Sequence, residues 1–163
     1  MKTLETSRLR LRARTLDDLE AILAMDADTE VRRFIGGPPD AAAHRAELRK
    51  NLVEGLPTSE WRWAVEWRDR PGFLGQIGLK PCHLPGCSEF TWRLVRAVWG
   101  QGIATEAVDA MLGHARADLG VRSFVAFIEA GNRASRRVAD KIGLQPAGET
   151  VLHGLPQLVY RLD

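Results

Sequence analysis

The hydrophobic period of this chain is two from Trp61 to Val95 and becomes 3.6 at Ile103, and that switch narrows the fold to a sheet with helices on its faces. Trp61, Trp63, Val65 and Trp67 share one face while Glu60, Arg62, Ala64 and Glu66 share the other, as in a strand buried on one side. Asp69-Arg70-Pro71-Gly72 turns into a second run, Phe73 to Leu79, and Leu84-Pro85-Gly86 precedes a third, Glu89 to Val95. Three consecutive strands with short turns predict an antiparallel meander. Beyond it, Ile103 to Leu119 spaces its apolar residues as a helix, and Ser123 to Ile128 reads as a short buried strand. Asn132 to Ile142 reads as a shorter helix closed by Gly143, followed by strands around 147–152 and 157–162 joined through His153-Gly154-Leu155-Pro156. The expected class is α+β (α/β), with a single mixed, mostly antiparallel central sheet flanked by helices.

Ahead of the meander, Ser7 to Arg14 alternates basic and apolar residues. Four arginines on one strand face could grip phosphates, but Leu9, Leu11 and Ala13 explain the alternation by themselves, which favours a solvated face. Thr15 caps a helix whose stripe is Leu16, Leu19, Ile22, Leu23 and Met25. Gly36-Gly37-Pro38-Pro39-Asp40 breaks the chain before a second helix, Ala41 to Glu54. With 163 residues the expectation is one domain spanning 1–163. The 23 Lys+Arg and 21 Asp+Glu leave a charge of +2 with no basic tail or acidic block, so neither nucleic acid nor a membrane surface is an expected partner. The opening residues lack an apolar signal region and no run approaches about eighteen apolar residues, which predicts a cytoplasmic protein.

The informative stretch is Trp99-Gly100-Gln101-Gly102-Ile103-Ala104-Thr105-Glu106-Ala107, between a strand and the long helix. Glycines 100 and 102 permit a tight turn with inward N–H groups, and the helix start adds unsatisfied N–H groups and its positive dipole end. Together they predict a pyrophosphate cradle that needs no basic side chain. A Walker loop would require a lysine that is missing, and a dinucleotide fingerprint would require glycine where Thr105 stands.

This stretch resembles the acyl-CoA loop of the GCN5-related N-acetyltransferase (GNAT) superfamily, [QR]-x-x-G-x-[GA], with Trp99 in the first position as in the ribosomal-protein N-terminal acetyltransferase-like (RimJ/RimL-type) branch. Thr6 to Arg12 resembles that branch's opening strand and Gly36-Gly37-Pro38 its early loop. Asn132-Arg133-Ala134-Ser135-Arg136-Arg137-Val138, with Lys141-Ile142-Gly143-Leu144, is similar to its N-x-A-S-x-x-V-x-x-K-[LI]-G-F segment. The resemblance implies an acyl-CoA N-acyltransferase fold and acetyl-CoA as acyl donor, with no metal. It implies a primary amine as acceptor, either a small molecule or a protein N-terminus, and a monomer or homodimer. Backbone groups near Leu94 would pair with pantetheine, and N–H groups of Gly100, Gln101, Gly102, Ile103, Ala104 and Thr105 would hold the pyrophosphate. Asn132 would bond the pantetheine arm or simply cap the last helix, or both. Ser135, Arg136 and Arg137 would lie near the cofactor, with an arginine on an adenosine phosphate.

Two departures follow from the same comparison. Arg96 replaces the usual proline before the loop, which would loosen the approach to it. Ala139 replaces the tyrosine that many members use to protonate the departing thiolate, so Ser135 becomes the candidate acid, with solvent as its rival. A thiol of pKa about 8.5 can leave largely as thiolate. Acyl transfer also needs a neutral amine and an N–H donor facing the developing oxyanion, here the backbone near Leu94. An α-amine of pKa about 8 is roughly a tenth neutral at pH 7, so one carboxylate acting through water would suffice. Glu89 matches a recurrent family glutamate and is the first candidate base, with Glu66 second; either could instead be a solvated strand carboxylate. The missing tyrosine also leaves a non-catalytic acyl-CoA-binding module as the alternative.

The remaining polar features read as structural. Cys82, His83 and Cys87 offer three ligands where a structural zinc site wants four. Two cysteines make no disulfide framework for this length, and the spacing is not that of a redox pair. His44, His114 and His153 are expected to stand alone on surfaces. The tryptophan row suits a core better than a substrate cage.

Overall fold

The computed structural model describes residues 1–36, 40–82, 86–152 and 154–163. Gly37, Pro38 and Pro39 of the expected breaker, His83, Leu84 and Pro85 of the meander turn, and His153 lie outside the described residues. Among the described residues, eight strands form one sheet: β1 (Leu4–Glu5), β2 (Leu9–Ala13), β3 (Trp61–Trp67), β4 (Phe73–Pro81), β5 (Ser88–Leu94), β6 (Phe124–Ile128), β7 (Gln145–Leu152) and β8 (Leu155–Leu162). Their order is β1-β2-β3-β4-β5-β6-β8-β7, and every neighbouring pair is antiparallel except β5 and β6. The meander is therefore β3-β4-β5.

Among the described residues, five α-helices flank the sheet: α1 (Leu19–Ala27), α2 (Thr29–Arg32), α3 (Ala41–Glu54), α4 (Ile103–Ala117) and α5 (Arg133–Lys141). The period-two alternation sends Leu9, Leu11, Trp63, Val65, Ile77 and Leu79 to one face, where they meet Ile103, Ala107, Val108 and Met111 of α4 in the main core. Trp63 is fully buried and its indole donates to the Lys2 carbonyl at 3.0 Å, so the tryptophan row is core. A smaller cluster of Leu19, Ile22 and Leu48 joins α1 to α3 on the opposite face.

The arginine-bearing face of β2 is not simply solvated. Arg8 pairs with Glu106, Arg10 with Glu5 and Glu66, and Arg12 with Asp18 and Glu66, while Arg14 donates to Gln76. These partners lie on other elements, so strand periodicity could not reveal them. Asp18 is buried and accepts from both Arg12 terminal nitrogens at 2.8 Å and from the Thr15 amide at 2.8 Å. Burial alone would raise its pKa, but the bonds from Arg12 and Thr15 outweigh it and hold the carboxyl below its usual range. Its stabilising contribution is thus complete above about pH 4 and is lost as pH falls through the lowered folded value. Asp18→Asn is expected to cost about 3 kcal/mol at pH 7 in urea denaturation and to flatten the acid limb of the stability profile. Equal urea midpoints for variant and wild type would contradict this account.

Two sequence expectations need correction here. Cys82 and Cys87 are joined as a disulfide with Cα atoms 6.0 Å apart. They become neighbours only when β4 and β5 pair with Pro81 opposite Ser88, which five residues of spacing do not disclose. Nor do the described histidines stand alone: His44 Nε2 meets Asp26 at 2.9 Å, and His114 Nδ1 meets Asp118 at 2.6 Å beside the edge of Trp63.

Candidate active site

β5 and β6 pair only at Ser88–Phe124 and Glu89–Val125, yet β5 runs on to Leu94 and β6 to Ile128, so the sheet opens between them. On the β4 side, Gly75 stands opposite Leu94 and the Val95 amide donates to the Leu74 carbonyl at 2.9 Å. That is the non-hydrogen-bonded register, in which Leu94 and, two residues earlier, Trp92 turn their own N–H and C=O away from β4 and toward the opening. Ser88, on the same alternation, donates to the Ser123 carbonyl at 3.0 Å. The Leu94 carbonyl accepts the Trp99 indole N–H at 2.8 Å, leaving its N–H aimed into the gap.

At the open end the chain makes a 3-10 turn over Arg96–Val98 and enters α4 through Gly100 and Gly102, whose φ angles are 75° and 78°. Glu106 N donates to Gly102 O at 3.0 Å as the first helical bond, so the N–H groups of Ile103, Ala104 and Thr105 have no partner inside the helix. Arg96 Nε meets Asp28 at 3.2 Å, an ion pair that secures the approach the missing proline was expected to loosen. Arg8 braces the loop from below, donating to the Gln101 carbonyl at 3.0 Å and to Glu106 at 2.7 Å. Burial would raise the Glu106 pKa, but Thr6 and Arg8 outweigh it and hold this carboxyl below its usual range.

Two clefts adjoin across the opening. The larger, of about 440 Å³, contains Leu94, Gly100, Gly102, Ile103, Ala104 and Thr105 together with α5 residues. Arg33, Arg137 and Lys141 supply its cationic rim. The smaller, of about 310 Å³, contains Glu89 at the crotch where β5 and β6 part. Trp92, Arg93, Asn132 and Ser135 line both. Asn132 caps α5, its Oδ1 accepting the Ser135 amide at 3.1 Å, which commits the oxygen and leaves the side-chain NH₂ to the clefts. Glu89 is held by Lys80 at 3.2 Å.

Not every candidate gathers here. Arg136 turns away, its Nε donating to Tyr160 Oη at 3.2 Å and its Nη1 to the Ala130 carbonyl at 3.3 Å; its neighbour Arg137 lines the larger cleft instead. One residue on a helix rotates the side chain by about 100°, and that decides which arginine faces the site. Gln101 lines neither cleft: its side-chain nitrogen is bonded to the Ala97 carbonyl at 3.0 Å and its own carbonyl accepts from Arg8. Glu66 is buried against Arg12 and Arg10 and lines neither cleft. Ala139 is buried in the core, one turn beyond Ser135. Arg33 and Phe34, which the sequence reading missed, follow α2 with no motif to mark them. Among the described residues no three His, Cys, Asp or Glu gather as metal ligands, and no helix is long and apolar enough to cross a membrane.

The sheet thus opens between β5 and β6 beside the start of α4, with a carboxylate in the adjoining cleft. Residues 8–145 match the family described as acetyltransferase (GNAT) domain. The chain belongs to that family and is an acetyltransferase. It is similar to the uncharacterized N-acetyltransferase YoaA of Bacillus subtilis (strain 168), 29% identical over 148 residues that cover 89% of this chain and 84% of the relative. In structure it is similar to the acetyltransferase (GNAT family) from Bacillus anthracis, with TM-score 0.85, 21% identity and coverage of 99% and 98%. It is also similar to RimL, a ribosomal L7/L12 alpha-N-protein acetyltransferase in complex with coenzyme A, with TM-score 0.81, 16% identity and coverage of 98% and 97%.

Proposed function

We propose that residues 1–163 act as one acetyl-CoA-dependent N-acetyltransferase domain whose acceptor is a primary amine, either a small molecule or a protein N-terminus. The observation that carries this reading is the meeting of two clefts at Trp92, Arg93, Asn132 and Ser135, one ending in an N–H cradle and the other holding a carboxylate. The W-G-x-G-x-A-T-E-A wording of the loop and the likeness to RimL support the ribosomal-protein N-terminal acetyltransferase-like branch.

The residues fit the donor. Free amides of Ile103 to Thr105 suit its pyrophosphate, the outward-turned groups of Trp92 and Leu94 suit an amide-bearing arm, and Arg33, Arg137 and Lys141 suit the outer phosphate. Bound there, acetyl-CoA supplies a thioester carbonyl that the amine attacks directly, the carbon–nitrogen bond forming as the carbon–sulfur bond breaks. Trp92 N–H donates to the carbonyl oxygen as it gathers charge, which leaves Trp92 C=O and Leu94 N–H to the arm. Glu89, through water, takes the proton the amine sheds, and Lys80 holds its carboxylate in place. The Ser135 hydroxyl stands nearest in role to the acid that meets the sulfur, on the helix position one turn before Ala139.

Glu89→Gln tests the assignment. Thiol release with an amine acceptor is expected to fall about 100-fold or more, while acetyl-CoA affinity by calorimetry stays within twofold. A variant rate within threefold of wild type would remove Glu89 from the reaction.

A further inference from the structure

The smaller cleft carries more positive charge than its fold requires. Arg32, Arg62, Lys80 and Arg93 line it against Glu89 and Glu129. Most of these cations are engaged. Arg93 Nη1 bonds buried Asp26 at 2.6 Å, Lys80 bonds Glu89 at 3.2 Å, and Arg32 Nε donates to the Gly36 carbonyl at 3.1 Å. Arg62 differs: its one carboxylate, Glu60, stands 3.5 Å from a terminal nitrogen, and its Nε is buried with no hydrogen-bond partner among the described residues. A buried donor left unpaired forfeits the hydrogen bonds it made to water.

The sheet directs this side chain toward the cleft. Arg62, Gly78 and Thr91 form one row across β3, β4 and β5. A Cβ at Gly78 would stand 3.1 Å from Arg62 Cγ and 2.9 Å from Thr91 Oγ1, so the bare glycine is what lets the arginine lie across β4. Beside it Arg14 donates to neutral Gln76 at 3.0 Å. Its pKa is pushed down to about 10, first by burial and then by Arg62 and Arg93. Positive charge is thus concentrated on the meander face of the cleft, while Glu89 supplies negative charge at the crotch.

We propose that this cleft takes an amine whose own molecule carries a carboxylate, with Arg62 recognising that carboxylate while the amine lies toward Glu89. The proposal rests on the acyl-transfer reading above and names its acceptor class. A planar guanidinium matches a carboxylate in two parallel bonds through its terminal nitrogens, and the pairing would relieve the repulsion among the arginines. A polyamine would bring a second ammonium against Arg62 and Arg93 and is excluded on the same ground. The carboxylate can belong to a free amino acid or to an acidic side chain just behind a protein N-terminus.

Calorimetry on the full chain with saturating CoA separates these. The probes are L-glutamate against L-glutaminamide, an eight-residue peptide amide beginning Ala-Glu-Glu against one beginning Ala-Gln-Gln, and spermidine. At least one acidic probe is expected to bind tenfold or more tighter than its neutral counterpart and than spermidine, and which of the two does so identifies the source. Arg62→Met should shrink that preference below twofold and Arg62→Lys should keep part of it, both with a Tm near wild type. Equal binding of acidic and neutral probes, or a preference that survives in Arg62→Met, overturns the proposal. Thiol release from acetyl-CoA is read alongside. Fastest release with spermidine would sink the carboxylate and leave acyl transfer standing. An acidic binding preference without release from any amine would sink acyl transfer and leave the carboxylate site.

Discussion

Gly102→Asp is expected to lower acetyl-CoA affinity at least 100-fold, a loss of about 2.7 kcal/mol of binding free energy, while the protein stays folded. Gly102 holds φ 78° and ψ 4° as the N-cap of α4. Aspartate visits this left-handed region at a cost of about 1–2 kcal/mol. Space is no obstacle, because an added Cβ would meet only Arg8 Nη2, at 3.5 Å. What changes is charge. A carboxylate at the helix start would accept from the same N–H groups the pyrophosphate needs and repel the phosphates themselves. Gly102→Ala brings the same backbone strain without the anion and should retain affinity within about tenfold. Affinity of Gly102→Asp within threefold of wild type would contradict the loop assignment.

Gly75→Ala is expected to destabilise the fold by on the order of 4 kcal/mol, combining backbone strain with overpacking. Gly75 has φ 152° beside the irregularity between Val65 and Glu66 and stands opposite Leu94 of β5. A Cβ there would collide with the Arg93 carbonyl oxygen and stand 2.7 Å from Leu94 Cα. Both obstacles are backbone, so no rotamer change relieves them. The strand that would yield is the one that aims the Leu94 N–H into the opening, and donor binding should weaken along with stability. Gly100→Ala is the contrast: φ 75° but nothing within 4 Å of the added Cβ, for a cost of about 1 kcal/mol. Urea denaturation reads both, and a Gly75→Ala midpoint matching that of Gly100→Ala would refute the steric account.

These two glycines also mark what could be read before the fold was known. Gly102 sits in a local motif made of a turn and a helix start, and both were legible from nine consecutive residues. α3 was equally legible, since Asp40 at its start and Gly55 at its end bound it within sequence reach. Gly75 is different, because its need for hydrogen instead of a methyl comes from Arg93 and Leu94 across the sheet. The arginine face of β2 fails for the same reason: Arg8 meets Glu106 and Arg12 meets Glu66 only after the sheet and α4 assemble. Arg136 and Arg137 share a motif, and helix rotation, not composition, turned the second toward the cleft. Arg62 looked like an ordinary polar-face residue until Gly78 opened a path beneath it.

Hydrogen exchange with and without acetyl-CoA tests the central claim most directly, because the proposed cradle is made of amides. Saturating acetyl-CoA is predicted to slow exchange in the segment 100–106 and at Trp92 and Leu94, with smaller protection over 132–138 at the start of α5. Unchanged exchange in 100–106, with protection confined to any other part of the sheet, would contradict the site as built here.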